Sequence, residues 1–389
     1  MSAIQTILVV LIGLYFVRTV VGYILSRYYF SRYEHFYSAM DYTPRVSIIK
    51  PVYGLDESAL DNFRSFCQQD YSHDYEIIFC LENQTDPAVP LIERVIEEYP
   101  EQNIRLVFSN PQDSRSFGKI KNMIAGFSES QYEVVIFSDS DVHAPKTFIR
   151  DTIGCLKNPK IGLGFSAPVF EGSRDWISAM QNIAVNETII NLAPLCLFGF
   201  YDQAIGMTMV TRRKVIEEIG GLEQFGHQVT DDIPLARAIH KKGYRIHLLK
   251  EPARIFHFQD NFSRWWSHMH RWLVIIRHYM PALVYSAFFA DLPLLLSILY
   301  LGISLLRNES VFIGILLVSA VLILRFALTL AINISFAQDK KLWRFIWVIP
   351  LWDFLRAPLL IHSSFSNEIV WRGRRIHINS DCSVAIPQT

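Results

Sequence analysis

Residues 134–141 read Val-Val-Ile-Phe-Ser-Asp-Ser-Asp, an apolar run that ends in two carboxylates one residue apart. Such a run after polar Gln131 and Glu133 is typical of a buried parallel β-strand. Asp139 and Asp141 would then follow the carboxyl end of the strand, where open α/β sheets bind ligands. Residues i and i+2 of an extended chain project to the same side, so both carboxylates can hold one Mg²⁺ or Mn²⁺ ion, which commonly bridges to substrate phosphates. An isolated Asp-x-Asp also fits a polar turn that caps a helix. The other motifs of the chain are therefore needed to choose between a metal site and a turn.

The overall composition narrows the classes of function. The chain has 389 residues and a formal net charge of zero, which argues against a nucleic-acid-binding protein held by a global positive field. Its five cysteines are scattered without a Cys-x-x-Cys pair, a spacing that fits neither a zinc site nor a disulfide framework. Buried thiols in a reducing compartment are the simplest interpretation.

An apolar stretch at residues 3–25 is long enough to cross a bilayer, since roughly 20 helical residues span a hydrocarbon core of about 30 Å. Arg18 lies within snorkelling reach of its end. The stretch lacks a basic leading segment and a small-residue cleavage site, which favours an uncleaved anchor over a signal peptide. Arg27, Arg32 and Arg45 follow, and by the positive-inside rule the chain then continues in the cytosol.

Two further apolar stretches, at roughly 283–305 and 311–335, predict an out-and-back membrane hairpin that returns to the cytosol. Residues 345–366 are apolar but contain two prolines, an aspartate and an arginine. We expect an interfacial or re-entrant element there, followed by a basic cytosolic tail that contains Trp371-Arg-Gly-Arg-Arg. A fourth crossing that leaves the tail outside is the competing interpretation.

Between these stretches, strand and helix patterns alternate at the spacing of an α/β fold with a mostly parallel sheet and right-handed crossovers. The sequence has no G-x-G-x-x-G after the first strand and no Walker lysine loop, so dinucleotide-binding and P-loop proteins lose support. Gly118-Lys119-Ile-Lys-Asn places lysines at the start of a helix, where an anion could bind, although a solvated helix start fits equally well. The expected strands are 46–50, 75–81, 104–108 and 134–137, and the expected helices are 56–68, 90–99 and 120–127.

Several motifs together resemble membrane-anchored glycosyltransferases of the GT-A fold, and most closely the ceramide glucosyltransferase family. Each motif is short, and their order over nearly the whole chain makes the match specific. The sequence departs from the family pattern at His268, where the family has Gln or Arg, and at Asp141, because the animal ceramide enzymes keep only the first carboxylate of the Asp-x-Asp. The matching segments are Ser47-Ile-Ile-Lys-Pro-Val-Tyr-Gly-Leu-Asp56, Cys80-Leu-Glu-Asn-Gln-Thr-Asp-Pro-Ala88, Lys119-Ile-Lys-Asn122, Ser138-Asp-Ser-Asp141, Thr230-Asp-Asp232 and His268-Met-His-Arg-Trp272.

The resemblance implies a nucleotide-sugar site. Asp139 and Asp141 would hold the metal, Mg²⁺ or Mn²⁺, that neutralises the leaving diphosphate. Asp86 would help to seat the base and ribose of UDP, and Lys119 would add positive charge near the phosphates.

The motif at residues 268–272 is expected to complete this site. Arg271 would add a second positive charge, and together with Trp272 it would lie at the acceptor end. His268 could hydrogen-bond a phosphate or the acceptor. The same helix also fits an amphipathic element that docks the domain on the bilayer, and both interpretations can hold for an enzyme with a lipid acceptor.

The third aspartate motif supplies the candidate base. Asp232 could remove the proton of the acceptor hydroxyl, and a single base opposite the leaving group implies inversion of the anomeric configuration. The alternative is that Asp231-Asp232 only caps the helix around Pro234, and Asp231 could be the cap while Asp232 is the base. His257 could contact the metal or a phosphate, but a structural histidine is the favoured interpretation.

The predicted enzyme transfers a hexose, with UDP-glucose as the expected donor, to the hydroxyl of a membrane lipid such as ceramide. The alternatives are a hopanoid or other bacterial lipid as acceptor, with UDP-N-acetylglucosamine as a possible donor, and a processive polysaccharide synthase. A scaffold built on a decayed transferase is disfavoured because Asp86, Asp139, Asp232 and Arg271 are all present.

The expected partners are a UDP-sugar donor, a lipid acceptor and the bilayer, with no nucleic acid. The enzyme would be an integral membrane protein of the bacterial inner membrane with a cytosolic catalytic domain. The expected organisation is an anchor at 1–28, a GT-A domain at 44–278, a C-terminal membrane region at 283–366 and a basic tail at 367–389.

Overall fold

The computed structural model describes residues 2–37, 42–56, 58–109, 118–256, 261–371 and 373–384. The chain divides into two compact units. The helical unit comprises residues 1–26, 170–191 and 258–382, and the sheet unit comprises residues 27–169, 192–257 and 383–389. Residues 170–191 lie inside the predicted catalytic domain 44–278, yet they belong to the helical unit.

Two sheets form the framework of the sheet unit. The larger sheet has the strand order β3-β2-β1-β4-β8-β6-β9 among the described residues, and the smaller has the order β5-β10-β7. Strand β8 runs antiparallel to β4 and β6, and the other pairs of the larger sheet are parallel. The predicted mostly parallel α/β sheet is therefore confirmed. The strands are β1 Val46–Pro51, β2 Tyr75–Leu81, β3 Asn103–Phe108, β4 Val134–Ser138, β5 Val142–His143, β6 Ile161–Phe165, β7 Pro168–Phe170, β8 Thr208–Arg212, β9 Arg245–Leu248 and β10 Ala253–Ile255.

The helices of this unit connect the strands, as the alternating pattern predicts. Strands β1, β2 and β4 are buried along their whole length, because helices cover both faces of a parallel sheet and favour continuous apolar runs. The four predicted strands are found within one residue at either end, and the three predicted helices are also present. The helices are α2 Ala59–Cys67, α3 Val89–Glu98, α4 Gly118–Glu129, α5 Phe148–Ile153, α8 Arg213–Ile219 and α9 Asp232–Lys241.

Helix α4 packs very closely on the sheet, and Gly126 makes this approach possible. A Cβ at this position would lie 2.5 Å from Cys80 Sγ and 2.5 Å from Ile49 Cγ2. Any larger residue would push the helix away from β1 and β2. Because Lys119 lies in the first turn of α4, this packing helps to fix the position of that lysine at the edge of the sheet.

The helical unit contains the apolar helices of the chain. Within the described ranges, two helical segments are long and apolar enough to cross a membrane, Ala3–Arg32 and Phe312–Ala337. A third crossing is possible if the bent pair Phe262–Tyr279 and Pro281–Ala290, with an angle of 118°, counts as one span. The elements of this unit are the larger part of α1 Ala3–Tyr37, α6 Trp176–Asn186, the start of α7 Ile189–Leu197, α10 Phe262–Tyr279, α11 Pro281–Ala290, α12 Pro293–Leu306, α13 Phe312–Ile332, α14 Val348–Phe365, β11 Glu368–Trp371 and β12 Arg374–His377.

The predicted membrane hairpin differs from the structure in its first arm. The apolar stretch 283–305 is not one helix, because α11 ends at Ala290 and α12 begins at Pro293. Proline has no backbone N–H and disfavours helical geometry at the preceding residue, and Leu292 accordingly has φ −118° and ψ 43°. Helix α12 has 14 residues, about 21 Å, and is too short to cross a hydrocarbon core of about 30 Å alone.

Helix α13 carries a buried arginine to which the sequence pattern assigns no role. Arg325 is 1% exposed and pairs with Glu187 at 2.7 Å and with Asp353 at 2.9 Å. Arg356 pairs with the same Glu187 at 3.0 Å. Two cations and two anions thus form a neutral network, which is how ionisable groups are tolerated inside a membrane region.

The last segments of the chain are more ordered than a basic tail implies. Residues 348–365 form α14, whose Asp353 and Arg356 belong to the buried ion-pair network. Beyond it, β11 and β12 form an antiparallel hairpin. The interfacial or re-entrant placement of α14 and the cytosolic side of the tail remain predictions.

Candidate active site

The predicted site residues of the sheet unit come from loops and helix starts at one edge of the larger sheet. Strands β1, β2 and β4 are parallel and end at this edge, and antiparallel β8 begins there, with Ser138 opposite Thr208. The N–H of Asp139 donates to the carbonyl of Met207 at 3.0 Å. The loops after these three strands and the segment before β8 therefore meet, as in other α/β sheets that bind ligands at carboxyl ends.

Lys119 joins two of the predicted aspartate motifs. Its Nζ lies 2.7 Å from Asp139 Oδ1 and 2.9 Å from Asp231 Oδ2, and it donates to the carbonyl of Gly206 at 2.7 Å. Its three protons are thus directed at three acceptors. Lys119 thus lies beside Asp139 with its ammonium held by carboxylates, and its role near the phosphates of a donor remains a prediction. Burial lowers its pKa, but the two aspartates outweigh burial and the net pKa is raised.

Asp232 has a different environment from its neighbour Asp231. Its Oδ2 accepts from the N–H of Gly206 at 2.7 Å, and its Oδ1 accepts from the hydroxyl of Thr230 at 2.6 Å and from the N–H of Ile233 at 2.7 Å. Burial, with the nearby charge of Asp231, raises the pKa of Asp232 to about 6. A base whose pKa lies near the working pH is well suited to general-base catalysis.

The structure also separates the two aspartates with respect to the helix. Asp231 occupies the N-cap position of α9, but its side chain makes no capping hydrogen bond. Its carboxylate pairs with Lys119 instead. The alternative in which the Asp231 side chain caps the helix is therefore not found, because this carboxylate binds a buried ammonium and not the backbone of α9.

Asp141 has the properties expected of a cation ligand. Its Oδ1 is buried and meets no hydrogen-bond partner among the residues that the structure describes, a costly state for a carboxylate. Burial, and then the charges of Asp139 and Asp56, raise its pKa to about 7. A cation bound here would satisfy the orphaned oxygen, so Asp139 and Asp141 fit the implied metal. Within the described ranges no three His, Cys, Asp or Glu side chains form a metal site by themselves, and Mg²⁺ is commonly held by one or two carboxylates with substrate phosphates completing the shell.

Lys50 is a site residue to which the sequence reasoning assigned no role. Its side chain is buried, its Nζ donates to the carbonyl of Asp139 at 2.8 Å, and it lies 3.6 Å from the ring centroid of Phe66. Burial lowers its pKa to about 7. The sequence signal for Lys50 was its position at the end of the largely apolar strand predicted at 46–50. A lysine at a buried strand position indicates a partner, because a fully buried lysine is rare unless it is paired.

Asp86 connects the loops that follow β1 and β2. Its carboxylate accepts from the N–H of Gly54 at 3.0 and 2.9 Å and from the N–H of Ala88 at 2.9 Å. Gly54 has φ +68°, a conformation that favours glycine. Asp86 thus holds the loop after β1 at the sheet edge, and its proposed role toward UDP remains a prediction.

The other predicted site residues lie in the helical unit, on α10. The rings of His268 and Trp272 are 4.5 Å apart, Trp272 meets Phe170 edge-on at 6.0 Å, and the Arg271 guanidinium lies 5.5 Å from the ring centroid of Trp371. His268 and Trp272 therefore contact each other, Arg271 lies over Trp371, and the part of all three residues in sugar transfer remains a prediction. His257 lies outside the described residues.

Comparisons with known proteins agree with this fold. The model of glycosyl transferase family 21 matches residues 6–384. Ceramide glucosyltransferase 1 of Caenorhabditis elegans is 23% identical over 339 residues, which is 86% of this chain and 72% of that protein. A ceramide glucosyltransferase of Candida albicans is 29% identical over 139 residues, 32% of this chain and 25% of that protein.

A solved structure shows the same fold. The mannosyltransferase PcManGT from Pyrobaculum calidifontis, in complex with GDP-Man and Mn²⁺, aligns with 93% of this chain and 97% of its own at 17% identity, with a TM-score of 0.53. The protein is thus a sugar-transferring membrane enzyme of the GT-A fold, and the chain belongs to glycosyl transferase family 21.

Proposed function

We propose that this enzyme is an inverting hexosyltransferase that moves glucose from UDP-glucose to the hydroxyl of a membrane lipid such as ceramide. The observation that carries the proposal is the position of Lys119, whose ammonium contacts both Asp139 and Asp231. A single side chain thereby brings the Asp-x-Asp motif and the Asp231-Asp232 motif to one place. Leaving-group stabilisation and proton removal require two such groups of carboxylates in a common site.

The donor would bind at the ends of β1, β2 and β4. Asp139 and Asp141 would hold Mg²⁺ or Mn²⁺, and the orphaned Oδ1 of Asp141 supports this assignment. The solved mannosyltransferase, which has the same fold, contains Mn²⁺ with a nucleotide sugar. When bound, the ion supplies positive charge that stabilises the departing diphosphate. Asp86 would help to seat the nucleoside.

Asp232 would act on the acceptor. Its carboxylate is held by Gly206, Thr230 and Ile233, so its orientation is fixed before the acceptor binds. The proton of the acceptor hydroxyl would move to this carboxylate as the oxygen attacks the anomeric carbon and the bond to the diphosphate breaks. With one base and no covalent sugar–enzyme intermediate, an α-linked donor gives a β-linked product.

The acceptor would reach the site from the bilayer. Two candidate membrane helices and the curated ceramide glucosyltransferase relatives support a lipid acceptor. Arg271, Trp272 and His268 on α10 would contact the acceptor or the phosphates. The sheet unit would face the cytosol, since Arg27 and Arg32 lie at the end of the first candidate span, and the bacterial inner membrane is the proposed location.

The test is direct product identification. Membranes that contain the enzyme are incubated with labelled UDP-glucose, UDP-galactose or UDP-N-acetylglucosamine, and the glycolipid is identified by mass spectrometry with the anomeric configuration determined. We expect a β-glucosylated lipid with the wild type and none with Asp232→Asn. Asp61→Asn is the matched control, because this carboxylate is 79% exposed and lies outside the site. An α-linked product, or a product that forms equally with Asp232→Asn, would refute the mechanism.

A further inference from the structure

A cavity of about 460 Å³ opens in the sheet unit beside the end of α1. This volume lies within the range of about 300–1,000 Å³ that is usual for small-molecule sites. The walls come from five segments: the last turns of the first candidate membrane span, the end of α7 with the loop after it, the start of β6, the end of α9 and the edge strand β9. They include Tyr28, Arg32, Phe198, Tyr201, Arg245 and His247. None of these residues belongs to the proposed sugar-transfer site.

The cavity carries positive charge at its rim. Arg32, Arg245 and His240 line it and are exposed, and the described lining residues include no Asp or Glu. Arginine pairs preferentially with phosphate, because its guanidinium presents several donors in a planar fork. The chemistry of the rim therefore matches an anionic, phosphate-bearing group.

The surroundings of the cavity match a lipid. Phe198 is 59% exposed and Phe200 is 78% exposed, and both lie in the loop after α7. The opposite wall is the end of the candidate span Ala3–Arg32. Cations next to large apolar side chains at the end of a membrane helix are the arrangement expected at headgroup depth. If the phosphate of a lipid bound at the rim, the acyl chains of that lipid could cover the exposed rings of Phe198 and Phe200.

The loop that lines the cavity continues into the proposed active site. Tyr201 stacks on Phe165 with a centroid distance of 5.4 Å. Five residues later, Gly206 donates its N–H to Asp232 and accepts from Lys119. A ligand that orders the residues around 198–201 would therefore also restrain Gly206, and through it the orientation of the candidate base.

We propose that this cavity binds the phosphate headgroup of an anionic phospholipid, and that its occupancy raises the rate of sugar transfer by ordering the loop that holds Gly206. Ceramide-like acceptors are uncharged and offer nothing that matches the arginines, so the ligand is a lipid other than the acceptor. The binding part stands independently of the proposed function, whereas the effect on rate rests on it.

The binding test uses the full chain in neutral detergent without any sugar donor. Phosphatidylglycerol or phosphatidylcholine is titrated, and the thermal unfolding midpoint is followed. We expect saturable stabilisation by phosphatidylglycerol alone, and an apparent affinity about fivefold lower for Arg245→Gln, since one arginine near a membrane surface contributes about 1 kcal/mol. Arg32→Gln is a second variant with the same expectation. Lys242→Gln is the matched control, because it removes an exposed cation three residues away that does not line the cavity.

Several results would overturn the proposal. Equal stabilisation by both lipids would show a nonspecific effect of lipid. The same loss with Lys242→Gln as with Arg245→Gln would show a general electrostatic attraction to the surface. Either result would exclude a specific site. Stabilisation by glycerol 3-phosphate or inorganic phosphate as strong as that by the lipid would identify a soluble phosphate as the ligand. Phosphatidylglycerol that becomes glycosylated would identify the cavity as an acceptor subsite. In the transfer assay, binding that leaves the rate unchanged would remove the link to Gly206, and this outcome is distinct from an enzyme that shows no transfer at all.

Discussion

Replacing Asp232 by asparagine should separate activity from stability. The amide oxygen of Asp232→Asn can still accept from Thr230 and Ile233, as Asp232 Oδ1 does. The amide nitrogen would face the N–H of Gly206, so the bond from Gly206 to Asp232 Oδ2 is lost. Loss of the base should reduce the rate by about 10²–10⁴-fold, the usual contribution of a positioned general base.

The effect on stability is small because two terms oppose each other. The pKa of Asp232 is raised from 3.8 to about 6, so ionised Asp232 destabilises the folded chain by about 3 kcal/mol, or about 1–2 kcal/mol after allowance for partial solvent access. The lost bond to Gly206 costs about 1.5–3 kcal/mol. The free energy of unfolding of the variant should therefore lie between about 0.5 kcal/mol above and about 2 kcal/mol below that of the wild type near pH 7.5.

The dependence of the free energy of unfolding on pH should differ between the wild type and Asp232→Asn. A carboxyl group with a raised pKa binds its proton more tightly in the folded state, so wild-type stability falls as the pH rises from about 4 to about 6. Asp232→Asn lacks this titration, and its stability relative to the wild type should rise over the same window.

The assay is denaturant unfolding in detergent at several pH values, together with initial rates of glycolipid formation. The wild-type kcat/KM should fall about tenfold from pH 7 to pH 5. Turnover by Asp232→Asn at near wild-type rate, or a variant that loses activity only because it unfolds, would refute the reasoning, with Asp61→Asn as the reference for both measurements.

Three further predictions concern the metal, the membrane region and the topology. Asp139→Ala and Asp141→Ala should each weaken Mg²⁺-dependent UDP binding at least tenfold in calorimetry, and an unchanged metal requirement would contradict the assignment. Arg325→Met should lower the free energy of unfolding by about 3–5 kcal/mol because it leaves a buried anion unpaired. The double variant Arg325→Met/Asp353→Leu should be more stable than Arg325→Met alone, because the remaining pair of Arg356 and Glu187 is neutral. If the destabilisation by the two substitutions were additive, this charge balance would be contradicted. A reporter fused after Thr389 should be active in the cytosol, and an external signal would favour the fourth crossing.

The fold could be predicted from sequence where burial forces a simple pattern. Strands inside a parallel sheet are buried on both faces, so the runs at 46–50, 75–81 and 134–137 are nearly continuous in apolar residues and their ends are sharp. The carboxylates directly after such a strand could be placed for the same reason. The position of Asp139 could therefore be predicted from the sequence pattern, and Lys119 could be identified as a site residue through the family resemblance.

The remaining features depend on contacts between segments far apart in the chain. Gly206 holds Asp232 through its backbone N–H. Because almost every residue type has a backbone N–H, the sequence does not show which residue donates this hydrogen bond. The partners of Arg325 lie on separate helices, so no local pattern indicates which anion it meets. The break before Pro293 did carry a local signal, because Asp-Leu-Pro interrupts an apolar run with a charge and a helix-starting proline.

The charge balance of the proposed site predicts that donor binding and cation binding are linked. Five carboxyl groups interact with one another or with a common lysine at this edge of the sheet, and the described residues place two ammonium groups against them. The carboxyl groups belong to Asp56, Asp139, Asp141, Asp231 and Asp232, and the ammonium groups to Lys50 and Lys119. Among the described residues of the sheet unit, two lysines offset at most two of these carboxyl groups when all five are ionised, so this edge of the sheet would be net negative before a cation binds. We therefore expect the donor to bind together with a cation at Asp139 and Asp141, and the affinity for UDP should depend steeply on the concentration of divalent cation and weakly on that of monovalent salt.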